Sequence, residues 1–264
     1  MEGSVSGALT GIDLGLRTGG GAIRLESIAS VRDLTINTSG ASAGTVTLAG
    51  DIILEGSAAN RGDLILANPA TVVLNPLDQD AKTIHLATDG GVVLLGGSTS
   101  ATATATVSAS LAGTNLGIVT ATGAGSSGAV AFGAFNAAGG QRVNTLTVDS
   151  ITGALAPAQV RLNGDMALGQ GGLAISGVVV LGASRVITSQ NGDIRLAAGG
   201  GSLSALASGF DLALVSGGGA IGLGEVGNAG GGWINDLLAD ARGAGVTFGD
   251  FVISGSILLD ANGT

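Results

Sequence analysis

The chain has 264 residues and a net charge of −9, from 10 Lys and Arg against 19 Asp and Glu, with 45% hydrophobic residues, 50 Gly and no Cys. That apolar fraction excludes a disordered Gly-rich polymer, and the missing thiols exclude disulfides, Cys-ligated zinc and thiol catalysis. A single Lys (Lys82), nine scattered Arg and the absence of Tyr leave no basic stripe with aromatic platforms, which argues against a nucleic-acid partner.

Met1-Glu2-Gly3-Ser4 opens without the basic and apolar regions of a signal peptide. No apolar run approaches the ~18 residues of a membrane-spanning helix, so no membrane insertion is expected. From there the chain reads as short strands. Gly11-Ile12-Asp13-Leu14, Ile23-Arg24-Leu25, Arg32-Asp33-Leu34-Thr35-Ile36-Asn37 and Val46-Thr47-Leu48 come first. Gly50-Asp51-Ile52-Ile53-Leu54 and Gly62-Asp63-Leu64-Ile65-Leu66 follow, then Val72-Val73-Leu74, Ile84-His85-Leu86 and Val92-Val93-Leu94. Residues 90–141 carry no charge and include Thr102, Thr104 and Thr106; they read either as flat strands or as a looser excursion, and they mark the one plausible internal boundary. Strand phrases resume at Thr145-Leu146-Thr147-Val148, Val160-Arg161-Leu162, Gly164-Asp165-Met166, Gly192-Asp193-Ile194-Arg195-Leu196 and Phe210-Asp211-Leu212. Ile234 to Ala241 is the one weak helix candidate, and its alignment with earlier phrases predicts strand. The chain closes on Asp260-Ala261-Asn262-Gly263-Thr264, a turn in mid-pattern, so it reads as an excerpt of something longer.

Two features organise these phrases. Ile52, Val72 and Val92 begin triplets 20 residues apart, and Leu64 and Ile84 begin an interleaved pair at the same spacing. Such a period predicts an all-β solenoid of about 20 residues per coil, hence about 13 coils in one segment over 1–264 and a rod of roughly 60 Å. In each triplet the outer residues should face the core and the middle one solvent; Arg24, Thr47, Arg161 and Arg195 occupy middle positions. Corner aspartates precede strands at Asp13, Asp33, Asp51, Asp63, Asp165, Asp193 and Asp211, where Gly opens the turn and Asp accepts backbone N–H groups. A longer unit, two strands and a Gly-Asp corner leading to a third, starts at Asp33, Thr145 and Asp236.

The Leu-Thr-Ile-Asn and Gly-Asp-Ile-Ile-Leu phrases, the Gly/Ala/Thr spacers and the period resemble the filamentous-haemagglutinin-like repeats of large bacterial exoproteins, over nearly the whole chain. The resemblance implies a right-handed parallel β-helix, adhesion or presentation of an adhesive tip at the cell surface, and export by two-partner secretion or as an autotransporter passenger. Asn68-Pro69-Ala70 and Asn75-Pro76-Leu77 do not reproduce the Asn-Pro-Asn phrases of that family's secretion domain.

Candidate chemistry is sparse. Arg61-Gly62-Asp63 spells an integrin-binding tripeptide, although its Gly-Asp is the recurring corner. His85 is the only histidine, at an outward position, so neither a metal nor a cofactor is expected. Asp78, Asp80 and Asp89 form the densest acidic cluster and are low-ranking candidates for a binding loop, with spacing too irregular for a calcium loop. Gly230-Gly231-Gly232-Trp233 matches one copy of a calcium nonapeptide that works only when stacked, and Asn37-Thr38-Ser39 and Asn262-Gly263-Thr264 match the glycosylation pattern. Phe132 and Phe248 are expected to face inward. With no Tyr, one Trp and carboxylates placed singly, a polysaccharide-active enzyme is disfavoured. The expectation is a non-catalytic structural stalk of a secreted bacterial surface adhesin, partnered by flanking coils. The alternative is a segment that itself binds host or cell-surface glycan or protein, through the 78–89 loop or the 90–141 stretch.

Overall fold

The computed structural model describes residues 5–6, 11–39, 43–55, 62–67, 69–96, 105–120, 128–135, 140–148, 159–227 and 232–261. Among them are 29 strands and no helix, arranged as three all-parallel sheets of ten, nine and ten strands. Up to Val246–Phe248 successive strands fall in successive sheets, so the chain winds round three faces and returns to the first after every third strand. The last strand, Ile257–Asp260, skips the nine-stranded sheet, where among the described residues only a Val226–Phe251 bridge forms. This is a right-handed parallel β-helix. We name the faces A, B and C; Ile52–Leu54 lies on A, Leu64–Ala67 on B and Thr71–Leu74 on C.

The core is built from rows of register-matched apolar residues, one per coil. On face B the row runs Leu34, Leu64, Val93, Val130, Val160, Val179, Leu203 and Val226. None of the eight is more than 1% exposed. Burial of a Leu or Val side chain stabilises by about 1.5–3 kcal/mol, so each row couples its coil to the two neighbours and to nothing further away. Phe132 and Phe135 fill adjacent faces of one coil with ring centroids 5.5 Å apart, edge to face. The segment Ile234–Asp240 is a strand on face C, paired with Phe210–Ser216 and with Ile257–Asp260.

Coil length is variable. Leu14 pairs with Leu34, 20 residues on, and Val160 with Val179, 19 on, whereas Val93 pairs with Val130, 37 on. Loops at the corners absorb the difference, because only the strands must keep step. The longest sheets hold ten strands, so the stack has about ten coils rather than 13 and advances about 43 Å at ~4.8 Å per step, rather than 60 Å. The accessible surface, 10584 Å², is close to the about 10,000 Å² of a compact chain of this mass.

The 20-residue series therefore counts two strands, not one coil. Ile52 is on face A, Val72 on C and Val93 on B; Leu64 is on B and Ile84 on A. The longer unit likewise starts on B at Leu34, on A at Thr145 and on C at Leu237. Alternation has two corrections as well. The third triplet is Val93-Leu94-Leu95, with Val93 and Leu95 inward, one residue later than the spacing implied. On face B part of the middle row is also covered: Leu94 is 9% exposed, Ala131 3%, Val180 5% and Ser204 1%, whereas Thr35 in the same row is exposed and Ile65 and Arg161 are half-buried. Phe132 is fully buried, but Phe248, expected inward, is 39% exposed, as the last strands of faces A and C lack a following strand.

Candidate functional site

Each corner aspartate reaches along the axis. Asp33 accepts the Asp63 backbone N–H at 2.9 Å, and Asp63 accepts that of Val92 at 2.9 Å. Asp51 takes His85 N at 2.8 Å, Asp165 takes Val186 N at 3.0 Å and Asp193 takes Ala220 N at 2.9 Å. Asp211 takes Asp236 N at 3.2 Å, and Asp236 in turn takes both N and Oγ of Ser256 at 2.7 and 2.8 Å. In every case the donor stands one coil ahead, beside the position that the Asp itself occupies just before an inward residue. Asp13 binds Arg32 bidentately at 2.8 and 2.6 Å and also takes the Asp33 N–H. The Arg32 hydrogen bond holds the Asp13 carboxyl below the usual carboxylate range, and the Ser256 backbone N–H does the same for Asp236. Asp236 opens the third copy of the longer unit and was not ranked with the corner aspartates; as at Asp33 and Asp211, an Asp directly before an inward Leu was the available signal.

The acidic loop does not converge. Asp78 Oδ1 accepts the N–H groups of Ala81 and Asp80, both at 2.9 Å, and these lower its pKa. Asp80 is exposed and Asp89 half-buried. Among the described residues no group of three His, Cys, Asp or Glu is placed to hold a metal ion. His85 Nδ1 lies 3.3 Å from Asp51 Oδ1, with both side chains largely exposed. In the Arg-Gly-Asp phrase Arg61 lies outside the described residues, and Asp63 Oδ1 is engaged with Val92. Thr102, Thr104, Gly230, Gly231 and Asn262–Thr264 also lie outside them. Thr106 stacks on Thr71 and Thr45 of the two preceding coils, but in the parallel row Val73 stands between Thr47 and Ser108.

Sequence reading missed a second corner device. Thr18 Oγ1 donates to Gly21 O, Thr88 Oγ1 to Gly91 O, and Ser189 Oγ to Gly192 O, while Ser216 Oγ accepts from Gly219 N. A Ser or Thr three residues before a Gly is the signal.

It also missed a polar cleft of about 440 Å³ at the corner where face C passes to face A. Four successive coils contribute: Ala112 and Gly113; Gly140, Gln141, Arg142 and Asn144; Gly169 and Gln170; and Gln190. Small residues leave the space, and three of the chain's five Gln stand around it. Asn144 is structural here, donating to Asn115 Oδ1 at 2.9 Å and accepting Gly171 N at 3.1 Å. A shallower groove on face A runs past His85, Gly117 and Thr147, where Gly117 leaves a gap under the imidazole.

No protein-family profile matches the chain, and neither a curated protein nor a solved structure is significantly similar to it. The fold is therefore defined by this structure and its sequence pattern alone.

Proposed function

We propose that the chain is a non-catalytic spacer segment of a secreted bacterial surface adhesin, holding what flanks it at a fixed separation. The observation that carries this reading is the use made of the carboxylates. Asp33, Asp51, Asp63, Asp165, Asp193, Asp211 and Asp236 each take a backbone N–H of the next coil. Catalytic acids and bases need carboxyl groups converging on one cleft with separated pKa values. Here they are distributed one per corner along the axis, as a stack that resists shear between coils requires. The haemagglutinin-like phrasing and the lack of Cys support the extracellular and cell-surface setting, with flanking coils and host or cell-surface molecules as partners. None of these roles calls for a cofactor.

The test joins the chain between an immobilised base module and a reporter tip, beside a Gly/Ser linker of equal residue count. The expected base-to-tip distance is single-valued, with the chain contributing about 43 Å. A distribution as broad as the linker's overturns the spacer reading. Location is checked by protease shaving of intact producing cells: release of the segment supports export, and full protection contradicts it.

A further inference from the structure

We infer that the cleft at the C-to-A corner is a binding site for an acidic oligosaccharide lying along the axis. The cleft presents hydrogen-bonding groups that the protein itself does not use. Among the described residues the side chains of Arg142 and of the solvent-exposed Gln141, Gln170 and Gln190 make no hydrogen bond or ion pair within the protein, whereas Asn144 in the same cleft and the corner Asp residues elsewhere are engaged. Arg142 is half-buried in the lining and carries five donors in a planar fork that matches a carboxylate. Each Gln adds two donors and an acceptor, the complement of a sugar hydroxyl.

The spacing favours a repeating ligand. Gln141, Gln170 and Gln190 sit on three successive coils, since the strands that follow them, Thr145–Val148, Gly172–Ser176 and Ile194–Ala198, are neighbours on face A. The three Gln stand five, three and four residues before the register-matched Leu146, Leu173 and Ile194, so the amides come once per coil, on levels about 4.8 Å apart but not at one register position. An extended polymer can offer a hydroxyl at each level. Among the described residues the lining holds no acidic residue and one cation, on a chain whose net charge is −9, so the local charge selects for an anion. Its described lining also holds no aromatic platform and no large apolar side chain. A neutral glycan would lack the stacking it relies on, and a peptide would lack an apolar anchor. A uronate chain needs neither.

This inference is independent of the spacer reading, because a ligand on one corner leaves the coil-to-coil distances unchanged. The test is calorimetric titration of the whole chain with tetragalacturonate and with tetramannuronate. Neutral tetragalactan and a tetraglutamate peptide serve as comparators, and Arg142→Ala, Gln170→Ala and Arg17→Ala as variants whose circular dichroism matches the parent. The expected result is saturable binding of at least one uronate that weakens with salt. It should fall at least about tenfold in Arg142→Ala, severalfold in Gln170→Ala, and not in Arg17→Ala. Absence of saturable binding for both uronates overturns the inference. So does binding that Arg142→Ala leaves intact, or equal binding of the tetragalactan or the tetraglutamate.

Discussion

Asp33 holds Asp63 across the gap between two coils: a carboxylate oxygen of the first accepts the backbone N–H of the second at 2.9 Å. Asp63 then holds Val92 in the same way, and at Val92 this run of carboxylates stops, because the residue there has none to offer. The strands of a parallel sheet already pair their backbones, with Leu64 N–H bonded to Val92 O, but the N–H groups of Asp63 and Val92, each one residue before an inward residue, have no carbonyl to take. A corner aspartate satisfies each with a charged acceptor.

Removing one such acceptor leaves a half-buried N–H without a partner, and a hydrogen bond to a charged group contributes about 1.5–3 kcal/mol. Asp63→Ala is expected to lower unfolding stability by about 1–2 kcal/mol, discounted for partial exposure. Asp63→Asn should lose less, because its amide oxygen still accepts. Urea unfolding distinguishes them; an Asp63→Ala chain as stable as the parent contradicts the role given to these corners.

Acid should act through the same groups. The folded pKa of Asp13 lies below the ordinary Asp value because of Arg32, and that of Asp236 because of the Ser256 N–H. A depressed folded pKa means the unfolded chain binds the proton more readily, so the stabilisation is present above the unfolded value of about 3.9 and is lost as pH falls through the folded one. Thermal midpoints should hold from neutrality to about pH 5 and decline below about pH 4. The decline should be shallower in Asp13→Asn and Asp236→Asn, and an identical acid limb in the variants counts against the assignment.

Close stacking at the corners gives a sharper contrast. A Cβ on Gly91 would stand 1.8 Å from Gly62 O, and one on Gly15 would meet nothing within 4 Å. Gly91→Ala must therefore separate two coils and is expected to cost about 3 kcal/mol or more. Gly15→Ala, on an exposed strand position, should be neutral or slightly stabilising. Comparable denaturation midpoints for the two would show that the corners are looser than the stack requires.

One row should also report its position in the stack. Leu214 is fully buried and Leu259, two coils later in the same row, is 39% exposed. Leu214→Ala is expected to cost about 2–5 kcal/mol. Leu259→Ala should cost under about 1 kcal/mol, since little packing is lost there. Equal costs would mean that the last coil is covered in solution.

The sequence discloses the fold class because the rows are written into it: Ile23, Val46 and Val72 are apolar, alternate with Arg24, Thr47 and Val73, and stack as written. It hides the coil because the three faces are chemically alike. Any Gly-Asp corner followed by an apolar–any–apolar triplet suits any face, so Ile52 and Val72 look like repeats and stand on A and C. The cleft was illegible for a related reason. Gln141, Gln170 and Gln190 are 29 and 20 residues apart, and only the unequal loops between them bring them to successive levels of one corner. The carboxylate corners were readable as turns, but their acceptors point to the next coil, which no local pattern records.

A continuous stack of coils in fixed register predicts spin-label distances that can be read directly, since the chain has no Cys to mask. His85, Thr147 and Thr247 lie in one outward row of face A, with Gly117, Ala174, Arg195 and Gly222 at the intervening positions. Labels on His85→Cys and Thr247→Cys are six steps apart, and labels on Thr147→Cys and Thr247→Cys four. The predicted result is two narrow distributions near about 29 and about 19 Å, differing by two coil steps. Broad, overlapping distributions, or two equal distances, would contradict it.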